Sequence, residues 1–136
     1  MKVVMVNGCF DPLHVGHLYH LQAARRLGDM LIVSLTCDQS VTNEKGRERP
    51  VFNQVHREAM LRSLRCVDGV LVVNDALDAL RKVKPAIFVK GSDYQRKVDA
   101  GSIAFCATHG IEIAFTDELT FSSTKLLKHY AESGRR

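Results

Sequence analysis

Residues 3–17, VVMVNGCFDPLHVGH, predict a strand, a tight turn and the start of a helix. The first four residues are apolar and mostly β-branched, which is typical of a strand buried inside a sheet. Gly8 lets the backbone turn tightly and lets a ligand come close. Apolar residues then recur at helical spacing as far as residue 27, and Gly28 is expected to end that helix.

The rest of the chain repeats this alternation. Strands are predicted at 3–6, 30–35, 70–73, 86–89 and 111–115, helices at 15–27, 53–64, 76–83, 99–108 and 122–131, and a polar loop at 40–50. The order predicts an α/β, Rossmann-like fold: a doubly wound, parallel, five-stranded sheet with helices on both faces. We expect one domain over residues 1–132 and a frayed tail over 133–136. Ligands in such folds bind at the carboxyl ends of the strands.

Composition excludes several classes of protein. The chain has 136 residues, of which 46% are hydrophobic, enough for one compact core. No apolar run is long enough to span a membrane, and the apolar start ends too early for a secretory signal, so a cytoplasmic location and no membrane partner are expected. The four cysteines form no C-x-x-C pair, which argues against a zinc knuckle or a disulfide framework. The net charge of +4 favours anionic ligands without choosing between nucleotides and nucleic acid.

His14 and His17 stand where the first helix is predicted to begin. Side chains three positions apart share a helix face, and a helix N-terminus offers unpaired N–H groups and a partial positive charge. Two imidazoles at such an end suit a phosphate chain, and Gly16 would let a phosphate approach. Histidines at this spacing also occur on solvated helix faces, but their position after the first strand favours phosphate binding. A metal site that includes His20 is disfavoured because six residues span nearly two turns.

Residues 8–11 and 14–17 together resemble the extended H-x-G-H signature of the cytidylyltransferase-like nucleotidyltransferases. In that family the two histidines contact the phosphates of the triphosphate and stabilise the transition state. The resemblance therefore implies catalytic roles for His14 and His17, whereas the thiol of Cys9 is not expected to be catalytic. The implied nucleotide contacts in this stretch are Gly8, Cys9, Phe10 and Gly16, with Asp11 as a candidate substrate contact.

A basic segment, KGRERP at residues 45–50, follows the second strand. Its residue types predict either a loop that folds over an anion or a solvated surface loop. It resembles the K-G-x-x-R-P loop of the bacterial heptose 1-phosphate adenylyltransferases, which implies that Lys45 approaches the triphosphate and takes part in catalysis. The same likeness makes Arg49 and Arg57 candidate substrate contacts, although an ion pair on a helix surface would also explain Arg57.

The segment VKGSDY at residues 89–94 follows the fourth strand. It resembles the K-G-G-D-Y segment of the same heptose enzymes, with Ser92 in place of the second glycine. The resemblance implies that Lys90 and Asp93 lie at the mouth of the nucleotide site. It also favours adenylyl transfer, because glycerol-3-phosphate cytidylyltransferases differ here. A structural turn is the alternative interpretation.

Hydroxyl side chains open the last predicted helix, at Ser122, Ser123 and Thr124. Ser122 is a good N-cap, and hydroxyls at a helix N-terminus can also bind phosphate. The segment is similar to the family's G-x-S-T-T motif, which binds the triphosphate, although Thr120 replaces the glycine.

The resemblance extends over residues 2–130 and implies a specific reaction. AMP would pass from ATP, accompanied by Mg²⁺, to a sugar phosphate, with heptose 1-phosphate as the expected acceptor and pyrophosphate as the second product. The family is often dimeric, so a homodimer is expected. Transfer from CTP to glycerol-3-phosphate or another polyol phosphate is an alternative. A non-catalytic module that binds nucleotide or nucleic acid is disfavoured, because the cations are scattered and no aromatic platform is evident, so no nucleic-acid partner is expected.

Overall fold

The computed structural model describes residues 1–91, 98–116 and 123–133, the first four residues of the last range by their backbone alone. Its strands are β1 Val3–Gly8, β2 Met30–Thr36, β3 Gly69–Val73, β4 Ile87–Gly91 and β5 Glu112–Thr116. Its helices are α1 Val15–Arg25, α2 Asp38–Lys45, α3 Gln54–Arg62, α4 Ala76–Val83, α5 Ala100–His109 and α6 Ser123–Ser133. The predicted alternation of strands and helices is therefore confirmed.

All five strands are parallel and lie in the order β3-β2-β1-β4-β5. Val6 of β1 lies between Val33 of β2 and Val89 of β4, at the centre of the sheet. The chain builds outward from β1 to β3 and then returns to the other side of β1. This reversal makes the carboxyl ends of β1 and β4 the switch point, where open α/β sheets form their ligand crevice.

Apolar side chains cover both faces of the sheet. Val4 and Val6 of β1 belong to one core cluster, with Leu21 of α1 and Leu61 of α3. Met5, which points the other way, packs with residues of α4 and α5, among them Ala79, Leu80 and Cys106. Successive strand residues face opposite sides, so a continuous apolar run can serve both cores. The predicted doubly wound architecture follows from this pattern.

The predicted loop at 40–50 was wrong in its first half, because α2 runs to Lys45. Val41 is its only buried residue, so no apolar periodicity marks the helix in the sequence. Asp38 in the first turn and Lys45 in the last turn complement the helix dipole. Gly46, with φ of 104°, then ends the helix in a conformation that other residues rarely adopt.

The helix predicted at 53–64 forms as α3, but two of its apolar residues face solvent. Val55 is 70% exposed and Met60 is 45% exposed, whereas the buried residues of α3 are Arg57 and Leu61. Arg57 can occupy the inner face because its guanidinium group is hydrogen-bonded there, as described below. Periodicity of apolar residues cannot identify a helix face that is held by an arginine.

Gly28 has a different role from the predicted one. Helix α1 is capped by Arg26 in a right-handed conformation, so no glycine ends it. A Cβ atom on Gly28 would lie 2.7 Å from both the carbonyl oxygen of Lys2 and a methyl group of Val4. The glycine is therefore needed because the chain passes close to β1 on its way into β2.

Helix α6 extends to Ser133, one residue past the predicted end of the domain. The rest of the predicted tail, 134–136, lies outside the described residues. Among the helices that the structure describes, none has the length and apolar character needed to cross a membrane.

Candidate active site at the switch point

His14 and His17 form a reciprocal cap at the N-terminus of α1. The Nδ1 atom of His14 accepts hydrogen bonds from the backbone N–H groups of Gly16, at 3.1 Å, and His17, at 3.4 Å. The Nδ1 atom of His17 accepts from the N–H of His14 at 3.1 Å. The two rings stack with their centroids 3.7 Å apart. Both imidazoles are thus held in fixed orientations by the helix end itself.

These hydrogen bonds determine which nitrogen carries the proton. A neutral imidazole has one donor and one acceptor nitrogen, so an Nδ1 atom that accepts requires the proton on Nε2. Burial lowers the pKa of His17 from 6.5 to about 3, aided by the nearby His14, His20 and Lys45. His17 is therefore neutral near pH 7. Each ring then holds an N–H donor on its Nε2 atom, which is the group a phosphate oxygen would accept from.

Phe10 supports this pair from the turn after β1. Its ring is buried and meets the His17 ring edge-on, with 5.0 Å between centroids. A Cβ atom on Gly8 would lie 3.0 Å from the Phe10 ring, so Gly8 makes room for it. The nucleotide contacts predicted for residues 8–10 stay predictions, and this packing gives Gly8 a structural role.

Asp11 holds the segment after α2 in place. Its Oδ2 atom accepts from the N–H of Val51 at 2.7 Å and from Nε of Arg49 at 3.0 Å, and its Oδ1 atom accepts from the N–H of Phe52 at 2.9 Å. Burial alone would raise the pKa of Asp11, but the two backbone donors and Arg49 outweigh it and lower the pKa. Both carboxylate oxygens are engaged within the protein. Asp11 and Arg49 therefore tie residues 49–52 across the turn that follows β1.

Arg57 is the hub that joins four segments, and only 1% of it is exposed. Its Nη1 atom donates to the carbonyl oxygens of Cys9 and Thr36, both at 2.8 Å. Its Nε atom donates to the carbonyl of Phe52 at 2.8 Å, and Nη2 donates to Asp38 Oδ1 at 2.7 Å. Arg57 thus fixes the turn after β1, the end of β2, the start of α2 and the approach to α3. These contacts give it a positioning role, and substrate contact by Asp11, Arg49 or Arg57 stays a prediction.

Two lysines bring positive charge to the same end of the sheet. Lys45 is the exposed last residue of α2, and its charge lies close enough to help lower the pKa of His17 and to oppose the rise in the pKa of Cys9. Lys90, in β4, has its pKa lowered by burial, which Asp99, Glu44 and Cys9 oppose. Its ammonium group lies 5.4 Å from the centre of the Phe88 ring. We call His14, His17, Lys45 and Lys90 the anion site.

Cys9 borders the anion site as a neutral thiol. Burial and the nearby carboxylate of Glu44 raise its pKa above the usual value, although Lys45 opposes them. The Sγ atom lies 3.8 Å from Oε2 of Glu44. A thiol with a raised pKa is a poor nucleophile, which agrees with the expectation that Cys9 is not catalytic.

Part of the predicted site falls outside the described residues. Asp93 and Ser122 lie outside the described residues, as do Ser92 and Thr120. Ser123 and Thr124 begin α6, but their side chains are outside the described part of the structure. The position of α6 after β5 agrees with the predicted order of the motifs.

One buried pair was missed by sequence reasoning. Nδ1 of His20 and Oγ1 of Thr116 lie 2.7 Å apart and form a hydrogen bond. The two residues are 96 positions apart, so no local pattern links them. The one feature of the sequence that could have pointed to this pair is the position of His20, three residues after His17. In the ranges 1–91, 98–116 and 123–133, no group of three or more His, Cys, Asp or Glu side chains is placed to hold a metal ion.

Comparisons with known proteins identify a family and several relatives of this chain. A family model described as cytidylyltransferase-like matches residues 5–124. The bifunctional protein HldE of Helicobacter pylori strain P12 is 47% identical over 103 residues, which are 74% of this chain and 22% of the relative. The HldE protein of Campylobacter jejuni strain RM1221 is 40% identical over 129 residues, 93% of this chain and 27% of the relative. The chain thus spans about a quarter of the length of these relatives.

Solved structures show the same fold. A lipopolysaccharide core biosynthesis protein from Thermoplasma volcanium superposes with a TM-score of 0.75 at 30% identity. The match covers 88% of this chain and 99% of that protein. The likeness therefore extends over a complete second chain of similar size.

Proposed function

Because this chain belongs to the cytidylyltransferase-like family, we propose that it transfers AMP from ATP to a sugar phosphate and releases pyrophosphate. The observation that carries the proposal is the pair of capped imidazoles at the switch point. Their Nε2–H donors are oriented before any ligand arrives, next to Lys45 and a helix N-terminus. Such a group suits a polyphosphate whose charge is redistributed during transfer.

The proposed acceptor is heptose 1-phosphate. The segments 45–50 and 89–94 resemble those of heptose 1-phosphate adenylyltransferases, and the HldE relatives are 40–47% identical to this chain. The structural relative from Thermoplasma is described as a lipopolysaccharide core biosynthesis protein, which fits a role in sugar chemistry. All three point to a sugar phosphate.

In the proposed reaction a phosphate oxygen of the acceptor attacks the α-phosphorus of ATP in line with the leaving pyrophosphate. The new P–O bond forms as the bond between the α- and β-phosphates breaks, so no protein nucleophile is needed. His14 and His17 donate from Nε2 to phosphate oxygens, and Lys45 and Lys90 balance their charge. A bound polyphosphate would raise the pKa of His17, since an opposite charge nearby favours the protonated ring. Catalysis then comes from positioning and electrostatic stabilisation.

We further propose that Mg²⁺ enters with the triphosphate. Asp11 does not fit as a ligand, because its side chain is buried and both of its oxygens already accept hydrogen bonds from Arg49, Val51 and Phe52. Mg²⁺ that accompanies nucleotides is usually held by phosphate oxygens and water with few protein ligands. When bound, it would offset phosphate charge.

The test of the proposed function is pyrophosphate release with Mg²⁺, in which ATP and CTP are each combined with heptose 1-phosphate and glycerol-3-phosphate. Release that requires ATP and heptose 1-phosphate is expected. Release only with CTP and glycerol-3-phosphate would keep the mechanism and overturn the choice of substrates. No release with any sugar or polyol phosphate, from protein that is folded and binds ATP, would overturn the proposal.

Two substitutions test the roles of the histidines while keeping the N-cap of the helix. Asn is a good N-cap, so His14→Asn keeps an acceptor for the first N–H groups of α1, and His17→Ala leaves the cap by His14 in place. Both variants should fold, yet each should lose about 100- to 1,000-fold in kcat because its Nε2–H donor is removed. His109→Ala is the control, because His109 is an exposed histidine at the far end of α5. Turnover at the wild-type rate by His17→Ala would contradict its assignment.

A further inference from the structure

A buried polar pair lies beside the anion site and is not used by the proposed mechanism. His20 and Thr116 are almost completely buried, and their side chains form the 2.7 Å hydrogen bond between α1 and β5. Burying an imidazole and a hydroxyl costs free energy unless each finds a partner. An apolar pair would fill the same space without that constraint. The hydrogen bond therefore restricts how α1 can shift or rotate relative to β5.

The position of each partner connects this bond to the site. His20 lies three residues after His17, so the two side chains share one face of α1. They are close enough for His20 to lower the pKa of His17. Thr116 is the last residue of β5, and the chain continues from it towards α6, which begins at Ser123. One hydrogen bond thus links the helix that carries the capped imidazoles to the strand that leads to the second predicted phosphate-binding helix.

We propose that His20 and Thr116 are positioning residues of the transfer reaction, and this inference rests on the proposed function. Their hydrogen bond holds the first two turns of α1 in one position relative to the end of β5. It thereby sets the position of the Nε2–H donors of His14 and His17 relative to the end of β5. Neither residue of the pair touches the reacting phosphates.

Apolar packing alone would hold α1 less strictly. Leu21 and Ala24 pack this helix against the sheet, and such contacts have no preferred direction. A hydrogen bond weakens steeply once its angle is distorted, so it resists sliding or rotation of the helix. Precision of this kind affects rate more than binding, since a misplacement of about 1 Å can cost about 100-fold in catalysis.

The test compares Thr116→Val, which removes the hydroxyl at nearly constant volume, with Thr116→Ser, which keeps it. Thr116→Val should lower kcat about tenfold while the KM values for ATP and acceptor change less than about twofold, as expected when only the transition state is affected. Thr116→Ser should stay within about twofold of the wild-type kcat. His20→Phe should resemble Thr116→Val, and the double variant should lose no more than either single one, because both remove the same bond. Thr108→Val, at an exposed threonine of α5, is the matched control.

A second measurement does not depend on turnover. The imidazole nitrogen signals of His17 report its tautomer and surroundings in the free protein, and they should move in Thr116→Val but not in Thr108→Val. If the wild-type protein releases no pyrophosphate, the proposed function fails, and these signals still decide whether the pair positions the His17 ring. Unchanged His17 signals would overturn the inference. So would a Thr116→Val variant that has a lower melting temperature and the wild-type kcat, because the pair would then serve stability alone.

Discussion

Replacing Arg57 by methionine should destabilise the protein much more than the same replacement of Arg62, the other arginine of α3. The change keeps a long side chain in the core but removes four hydrogen bonds, to Cys9, Thr36, Phe52 and Asp38. At about 1 kcal/mol each, the four bonds amount to about 4 kcal/mol, within the range of about 3–5 kcal/mol that is typical when one partner of a buried ion pair is removed. Domains of this size are typically stable by about 5–15 kcal/mol, so a large share of the folding free energy is at risk.

Urea unfolding followed by circular dichroism measures this loss. The matched control is Arg62→Met on the same helix, where the side chain is 53% exposed, pairs with Glu58 and makes an exposed hydrogen bond to the carbonyl of Val70. That exposed pair should contribute at most about 1 kcal/mol. Arg57→Lys should recover only part of the loss, because one ammonium group cannot reach four oxygens in four directions. Equal destabilisation by Arg57→Met and Arg62→Met would refute the view of Arg57 as the hub of the site.

Two further predictions concern pH. The pKa of His17 is lowered from 6.5 to about 3 in the folded protein, so its contribution to stability is complete above pH 6.5 and is lost as the pH falls towards 3. An NMR titration of the free protein should show no protonation of this ring between about pH 8 and about pH 5, and a midpoint inside that range would contradict the burial argument. The pKa of Asp11 is lowered in the folded protein. Its contribution to the free energy of unfolding is therefore complete above pH 3.8, the pKa of the unfolded state, and is lost as the pH falls through the pKa of the folded state. Asp11→Asn, which breaks the buried pair with Arg49, should therefore lower the free energy of unfolding by about 3–5 kcal/mol at pH 7 and by clearly less in strong acid. Urea unfolding at both pH values measures the two losses, and equal losses would refute the prediction.

The sequence predicted the elements of the sheet well, because their signals are local. Each predicted strand overlaps an observed one, since short β-branched runs bounded by turn residues form buried strands wherever they pair. The start of α1 was predicted for the same reason. The cap made by His14 and His17 involves residues three apart, so it is encoded within a single turn.

The sequence was less informative wherever a contact between distant segments decides the structure. Helix α2 contains one buried apolar residue, Val41, so no periodic apolar pattern predicts it. Its stability comes from contacts with neighbouring segments. Arg57 was expected either at the substrate or on a helix surface. The structure excludes the helix surface, because the buried guanidinium group donates to carbonyl groups that come together only when β1, β2 and the segment before α3 are in place.

By itself, then, the sequence determined the alternation of strands and helices and the location of the histidines at the start of α1. Only the tertiary structure decided the strand order β3-β2-β1-β4-β5, the internal use of Asp11, Arg49 and Arg57, and the link between His20 and Thr116. The physical reason is the range of the interactions. Periodicity and capping act within one or two turns of the chain, whereas buried polar groups take whichever partners folding brings within hydrogen-bond distance.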